Sequence, residues 1–451
     1  MQVGSLFDAN PKRSRAVAAV LLLLFVANVF DPGGAFGLRY IAFVVAVLST
    51  IWTVRYFNLS PRALEVGLVL FVLWPTWSLL YGAARGGDLF IGVIQVVPFL
   101  FASILALILP VFDSRIALRM LYSCLFWLAG TVIASFALIV LLPNNSLSQR
   151  LLESLVRLND REGFFGTQSF GDLVVPWIYF RSTLFLVPAF VYYLFVNRLL
   201  RAGVILLALG ATFSKAGLTI SFVFGAYYSI SALFSRSAYS NVREVKGILR
   251  EWIRRLLPTL VVGGVVLVIL LSLPTFFDQI WDAWAGNLGT TQVRIGHFQS
   301  VVELFLKHPS YFVLGQGVGI PFYSLGESDY VQNFEIDHLN AIRKFGLPWF
   351  IGFSVIVFYS AVRLIKTHQV EERAFGLALI SGYFAAGTNP VLISALFIIM
   401  MTLSYFAQRN PTVFSREQSN PVASAGAVAS VRPKGSRRVT YGSGIGVGKP
   451  A

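Results

Sequence analysis

One recurrence constrains this chain more than anything else in it. Apolar stretches of about twenty residues, separated by polar breaks, run from residue 16 to residue 407. About 30 Å of hydrocarbon takes that many helical residues at 1.5 Å each. Within it every backbone N–H and C=O must be bonded inside its own segment, which selects helices. The expected fold is all-α, a polytopic membrane bundle of about 12 transmembrane helices with a large helical periplasmic loop. The candidate spans are 16–30, 40–56, 63–82, 88–110, 117–142, 173–196, 202–213, 216–234, 257–274, 346–366, 374–388 and 391–407. The seventh and eighth come from one run, 202–234, too long for a single span and broken at Ser214 and Lys215. One long tilted helix is the competing reading of that run.

Composition agrees. Hydrophobic residues make up 56% of the chain and charged ones 13%, against roughly 25% charged in a soluble domain. That excludes a soluble enzyme, a disordered scaffold and a disulfide-rich secreted domain. The single cysteine, Cys124, allows no intramolecular disulfide. The net charge of +15 would suggest nucleic acid in a soluble chain. Here it falls where inner-leaflet loops are expected. With a cytoplasmic N-terminus most of the 36 basic residues lie inside, and the densest short loop carries Arg236, Arg243, Lys246, Arg250, Arg254 and Arg255. This gives a multi-pass membrane protein with both termini cytoplasmic and no nucleic-acid partner. Residues 1–409 form the membrane domain. Residues 410–451, rich in Ser, Gly, Pro and Ala with basic residues interspersed, are expected to be a disordered basic cytoplasmic tail.

Two connections on the opposite side are long, 143–172 and 275–345, and connections beyond about 15 residues are commonly functional. The second holds three of the four histidines. Within it Ile295, Phe298, Val301, Val302 and Phe305 recur at helical spacing, which predicts an amphipathic helix ending at His308-Pro309. Gly315-Gln316-Gly317-Val318-Gly319 then reads as a flexible turn. No helix start of the phosphate-loop kind directly follows it. Glu327-Ser328-Asp329 and Glu335-Ile336-Asp337 look like carboxylate pairs, but no metal ligand set surrounds them, and no metal or other cofactor is expected. Arg181 sits about two turns inside the sixth stretch. A cation at a helix centre costs about 2.5–3.5 kcal/mol to insert and is a functional candidate by default; a span starting nearer Trp177 would make it a headgroup anchor.

Over roughly 200–390 the chain resembles the O-antigen ligase and O-antigen polymerase family, integral-membrane glycosyltransferases of the GT-C type. Three landmarks carry the resemblance: Ser214-Lys215-Ala216-Gly217 between two short helices; Arg294 through His308-Pro309 to Gly315-Gln316-Gly317; and His338-Leu339-Asn340 through Phe345-Gly346-Leu347-Pro348. Lys215 stands where the family has Arg, and Leu339 interrupts the family's His-Asn pair. The resemblance implies transfer of a glycan from an undecaprenyl-pyrophosphate donor to a hydroxyl. It implies His338 and Arg294 as catalytic residues, Lys215 as a cation on the substrate's phosphates, and a periplasmic large loop in a bacterial inner membrane. Outside the stretch of the resemblance, Arg181 is a substrate-binding candidate from its place in the sixth stretch, and Arg157 and Arg161 would extend the anion site, with a charged loop face as the competing reading. Polymerisation of lipid-linked repeat units into O-antigen or exopolysaccharide is the leading expectation. Ligation of finished glycan to lipid A-core is the alternative, and a lipid-linked sugar flippase or transporter the reading from another class. Chain-length regulators, flippases and membrane lipids are the implied partners.

Overall fold

The computed structural model describes residues 11–32, 36–53, 61–108, 114–142, 145–147, 149–150, 153–154, 165–170, 173–212, 214–234, 289–387 and 391–407. The expected ninth span, 257–274, the tail, and Arg157 and Arg161 lie outside these residues. Among them the chain is mostly helical. The helices are α1 (Pro11–Phe30), α2 (Leu38–Thr53), α3 (Pro61–Leu68), α4 (Trp74–Ala84), α5 (Leu89–Ile108) and α6 (Ser114–Leu141). They continue with α7 (Leu186–Phe195), α8 (Leu199–Ala211), α9 (Lys215–Phe234), α10 (Gly289–Lys307), α11 (Pro309–Leu314), α12 (Asp337–Phe345), α13 (Leu347–Ile365), α14 (Val370–Ala385) and α15 (Ala395–Ala407). Four helical segments are long and apolar enough to cross a membrane, Glu65–Ala84, Leu89–Ala106, Arg115–Leu141 and Leu347–Ile365. The remaining apolar helices, among them Arg15–Phe30, Leu38–Ile51 and Ala395–Tyr405, are shorter.

Two expectations are corrected. Within the mostly helical fold, the first correction is to the start of the sixth span: β1 (Phe165–Phe170) and β2 (Leu173–Ile178) form an antiparallel hairpin in which Phe165 pairs with Ile178 and Phe170 with Leu173. The sixth apolar stretch therefore begins as a strand. Its Val174-Val175-Pro176-Trp177-Ile178 is β-branched and aromatic, and Pro176 cannot donate to a helical ladder. A 3₁₀ turn, Arg181–Phe185, leads from the strand into α7. A second small hairpin joins β3 (Phe322–Ser324) to β4 (Asp329–Val331). The run 202–234, by contrast, does divide. α8 ends at Ala211, and Ser214 caps α9, its Oγ accepting the Gly217 N–H at 3.2 Å.

The second correction concerns residues 315–319, which form a buried wedge rather than a flexible turn. Gly315, Gly317 and Gly319 have φ of +81°, +96° and +79°. A Cβ on Gly315 would stand 2.4 Å from the Lys344 carbonyl oxygen, and one on Gly317 would stand 2.6 Å from Cα of Gly82 in α4. Only glycine tolerates both the dihedral and the approach.

A π turn, Val69–Leu73, separates α3 from α4. Pro75 has no N–H, and the Trp74 N–H bonds Val69, five residues back, so the Leu70 carbonyl has no helical donor. The Trp349 indole of α13 donates to it at 3.0 Å. Trp349 in turn stacks within an aromatic column, 5.7 Å from Phe99, 4.5 Å from Phe345 and 5.0 Å from Phe353. This column fixes α12 and α13 against α5. Elsewhere α14 packs on α7 and α13, and α15 on α5.

Candidate functional site

α12 is short and held at both ends. Its last carbonyls, which no helical donor reaches, are all taken. The Gln316 N–H bonds Arg343, Ser78 Oγ bonds Lys344 at 2.8 Å, and the Trp74 indole bonds Phe345 at 2.7 Å. Gly346 at φ +85° stops the helix, and Pro348 starts α13 within its first turn. At the other end the Asp337 N–H donates to Ala386, while Oδ2 accepts the Ile393 N–H at 3.1 Å.

Asp337, Asn340 and Lys344 stand at i, i+3 and i+7, one face of a helix. All three are buried and line a cavity of about 180 Å³. Arg39 and Arg181 line the same cavity, with Asn28, Gln95, Ser182, Asn333 and Ser394. Three cations and one carboxylate, drawn from three elements distant in sequence, thus line one void.

Each wall has a local cause. The Asp31 carboxylate accepts the Phe36 N–H at 3.2 Å and the Leu38 N–H at 3.0 Å, capping α2 and setting Arg39 in its first turn. Arg39 donates from Nη1 to the Pro32 carbonyl at 2.9 Å and lies over the Phe101 ring. Arg181 opens the 3₁₀ turn directly after extended Phe180. In α5, Pro98 deprives the Ile94 carbonyl of its helical donor, and both residues face the cavity. Gln95 Oε1 accepts the Gly319 N–H at 3.2 Å, which orients its amide so that Nε2 points away from that bond. Of the residues lining the cavity, Gln95 Nε2 and Arg39 Nε are buried without an acceptor, and Asn28 Oδ1 is buried without a donor. Two buried donors without acceptors, among cations, suit an oxygen-rich anion.

Burial pushes the Asp337 carboxyl up to about 6, against the Ile393 N–H and the nearby Lys344 charge, which favour ionisation. Burial likewise draws the Lys344 ammonium down. Lys344 Nζ donates to Asn333 Oδ1.

Of the residues named from sequence, Arg181 lines this cavity. His338 occupies a different face of α12. Its ring lies 4.6 Å from that of Tyr383 and 5.8 Å from that of Phe350, and its Nε2 is buried without a partner. Burial lowers its pKa, holding the ring neutral. Arg294 on α10 forms an ion pair with Glu335, Nη2 to Oε2 at 2.6 Å, both partly exposed and neither in the cavity lining. Lys215 begins α9, and its side chain lies outside the described ones. The Glu335-Ile336-Asp337 carboxylates are split, one on Arg294 and one in the cavity. His297 is enclosed: Ser324 Oγ lies 2.6 Å from Nδ1, and Phe334 stacks on the ring at 5.2 Å.

Sequence reasoning missed Arg39 and Lys344 as cavity-lining cations and took Asp337 only as half of a carboxylate pair. The signal for the last two was the spacing Asp-x-x-Asn-x-x-x-Lys on a nine-residue helix. No family model matches the chain, and no curated protein matches it.

Proposed function

We propose that this chain is a membrane glycosyltransferase whose cavity holds the diphosphate of a polyprenyl-linked glycan donor. It extends lipid-linked repeat units into O-antigen or exopolysaccharide at the periplasmic face of the bacterial inner membrane. The observation that carries the reading is the convergence of Arg39, Arg181 and Lys344 on one cavity, with the Arg39 Nε and Gln95 Nε2 donors unsatisfied. Fixed donors in a site of low dielectric stabilise charge where it develops, without reorganisation.

The chemistry follows from the arrangement. The bond from the anomeric carbon to the donor's phosphate oxygen breaks, and its electron pair stays on the diphosphate, against the three cations. An acceptor hydroxyl oxygen bonds that carbon and gives its proton to Asp337, a carboxylate near pH 6 that is ionised at neutrality and basic enough to accept it. Arg294 then acts at a distance, holding through Glu335 the segment that carries Asn333 and Asp337. His338 supports α12 from its Tyr383 face. Ligation of finished glycan to lipid A-core uses the same bonds.

The test is turnover of a lipid-diphosphate glycan by the purified protein. Arg39→Gln, Arg181→Gln and Lys344→Met are each expected to lower the rate by about 10²–10³. Product formed at the wild-type rate by all three rejects the reading. In a deletion strain, single-unit glycan on the final acceptor marks a polymerase, and polymer accumulating on the carrier marks a ligase. Movement of glycan across the membrane with no change in its length marks a flippase.

A further inference from the structure

α13 turns a stripe of apolar side chains out of the bundle. Ile351, Val355, Phe358 and Val362 are each more than a third exposed. Between this stripe and Tyr383 of α14 runs a groove of about 640 Å³. Phe350, Ile351, Val355 and Phe358 line most of it, and Ser354 and Tyr383, hydrogen-bonded to each other at 2.8 Å, satisfy one another within it. One end is different. Arg363 and Lys366, one turn apart at the close of α13, form its rim.

These two cations have no carboxylate partner among the described residues. Arg363 Nη1 donates to the Tyr359 hydroxyl at 3.3 Å. The acids that follow in sequence are engaged elsewhere, Glu371 by Arg119 at 2.9 Å and Glu372 by Arg115 at 4.0 Å. Among the described residues, no acidic side chain lines the groove to attract an ammonium group. An apolar channel ending in two unpaired cations is complementary to one chemistry, a hydrocarbon chain attached to an anionic phosphate.

We propose that this groove seats an anionic glycerophospholipid, one acyl chain along α13 and its phosphate between Arg363 and Lys366. The site is separate from the cavity under α12. α13 has 19 residues, so its two ends are about 28 Å apart, with Lys344 beside the first and Lys366 beside the last. A donor diphosphate held at Lys344 does not reach the second rim, and the two proposals fail independently.

The experiment reconstitutes the full chain in nanodiscs of equal phosphatidylglycerol and phosphatidylcholine, extracts it in mild detergent, and quantifies retained lipid by native mass spectrometry. The wild-type protein is expected to keep one phosphatidylglycerol with about tenfold preference, as roughly 1.4 kcal/mol of charge selectivity gives. Arg363→Gln with Lys366→Gln should abolish the preference. Arg363→Lys with Lys366→Arg should retain it, and Val355→Trp, which fills the channel but keeps both cations, should reduce bound lipid of both kinds. Equal retention of both lipids by the wild-type protein overturns the proposal. So does a disulfide between Val355→Cys and a cysteine placed in 257–274, which would make that apolar segment the occupant.

Discussion

Arg343 and Lys344 are neighbours on one helix, both buried, and their surroundings differ in kind. Arg343 is bonded through both terminal nitrogens, with only its buried Nε lacking an acceptor. It donates to Gln316 Oε1 at 2.8 Å, the Ile320 carbonyl at 3.2 Å, the Gln332 carbonyl at 2.7 Å and Asn340 Oδ1 at 3.0 Å, and lies over the Phe322 ring at 4.4 Å. Lys344 has one side-chain acceptor, Asn333, and a void shared with two more cations. A buried cation whose terminal nitrogens are all matched by neutral acceptors is a structural bolt. A buried cation lining a cavity beside other cations is where the proposed reading puts the anion. Charge and burial alone do not separate the two; the inventory of acceptors does.

Substitution at the two positions should therefore break different things. Arg343→Leu strands two loop carbonyls and a glutamine oxygen in the interior, each costing about 1–3 kcal/mol. The expected loss of several kcal/mol should appear as a large drop in melting temperature and in monodisperse yield by fluorescence-detected gel filtration. Lys344→Met removes a desolvated charge and leaves one asparagine oxygen unpaired. Its melting temperature should stay close to wild type while turnover falls about 10²–10³. Matching stability losses at both positions would erase the distinction.

The wedge 315–319 belongs to the bolt. It supplies the Gln316 side chain to Arg343 and N–H groups to the Arg343 and Lys344 carbonyls. Gly315→Ala sets a methyl 2.4 Å from the Lys344 carbonyl oxygen at a φ that L side chains avoid. About 3 kcal/mol of destabilisation is expected, measurable by the same thermal assay. The same change at Gly203, where a Cβ meets nothing within 4 Å, should be neutral or slightly stabilising.

How far the sequence reveals this depends on the range of the interaction. Spans such as 88–110 and 346–366 are legible because twenty apolar residues announce themselves locally, and so is the break at Ser214, which a capping side chain enforces. The hairpin 165–178 was also signalled, by Gly171-Asp172 between two β-prone runs. The apolar stretch beginning at 173 obscured it, since hydropathy does not distinguish a strand from a helix. Arg39 was not legible as a site residue. It sits at the start of an apolar run, as any headgroup anchor does, and only the packing of α2 on α1 and α5 brings it to the cavity that Arg181 and Lys344 also line. For Gly315 and Gly346 the residue type invites a flexible reading. The partners that make glycine obligatory, the Lys344 carbonyl for Gly315 and the Val313 carbonyl for Gly346, are each distant in sequence from the glycine they constrain.

Within the cavity, Asp337 and the three cations divide the work differently with pH. A base functions ionised, so with the folded carboxyl at about 6 the rate should be level above neutrality. It should fall about tenfold per pH unit below 6. In Asp337→Asn that limb should vanish and the remaining activity be low at every pH. A limb that persists unchanged in Asp337→Asn but disappears in His338→Phe would transfer the base's role to His338 across the helix.

The smallest expected effect sharpens the comparison most, because a resemblance-based reading and the geometry disagree there. Arg294 is at once a residue the family likeness puts in the chemistry and a partly exposed partner of Glu335. Exposed ion pairs contribute about 1 kcal/mol or less. If Arg294 works only by tethering the segment from Asn333 to Asp337, Arg294→Gln and Glu335→Gln should each lower kcat/KM by no more than about threefold to fivefold. The swap Arg294→Glu with Glu335→Arg should then restore most of it, since the tether is indifferent to which side carries which charge. A cation that contacts the leaving diphosphate cannot be moved in that way. Loss of about 10² or more in Arg294→Gln, with no recovery in the swap and full activity in Glu335→Gln, would place Arg294 against the substrate and extend the anion site beyond the cavity's present wall.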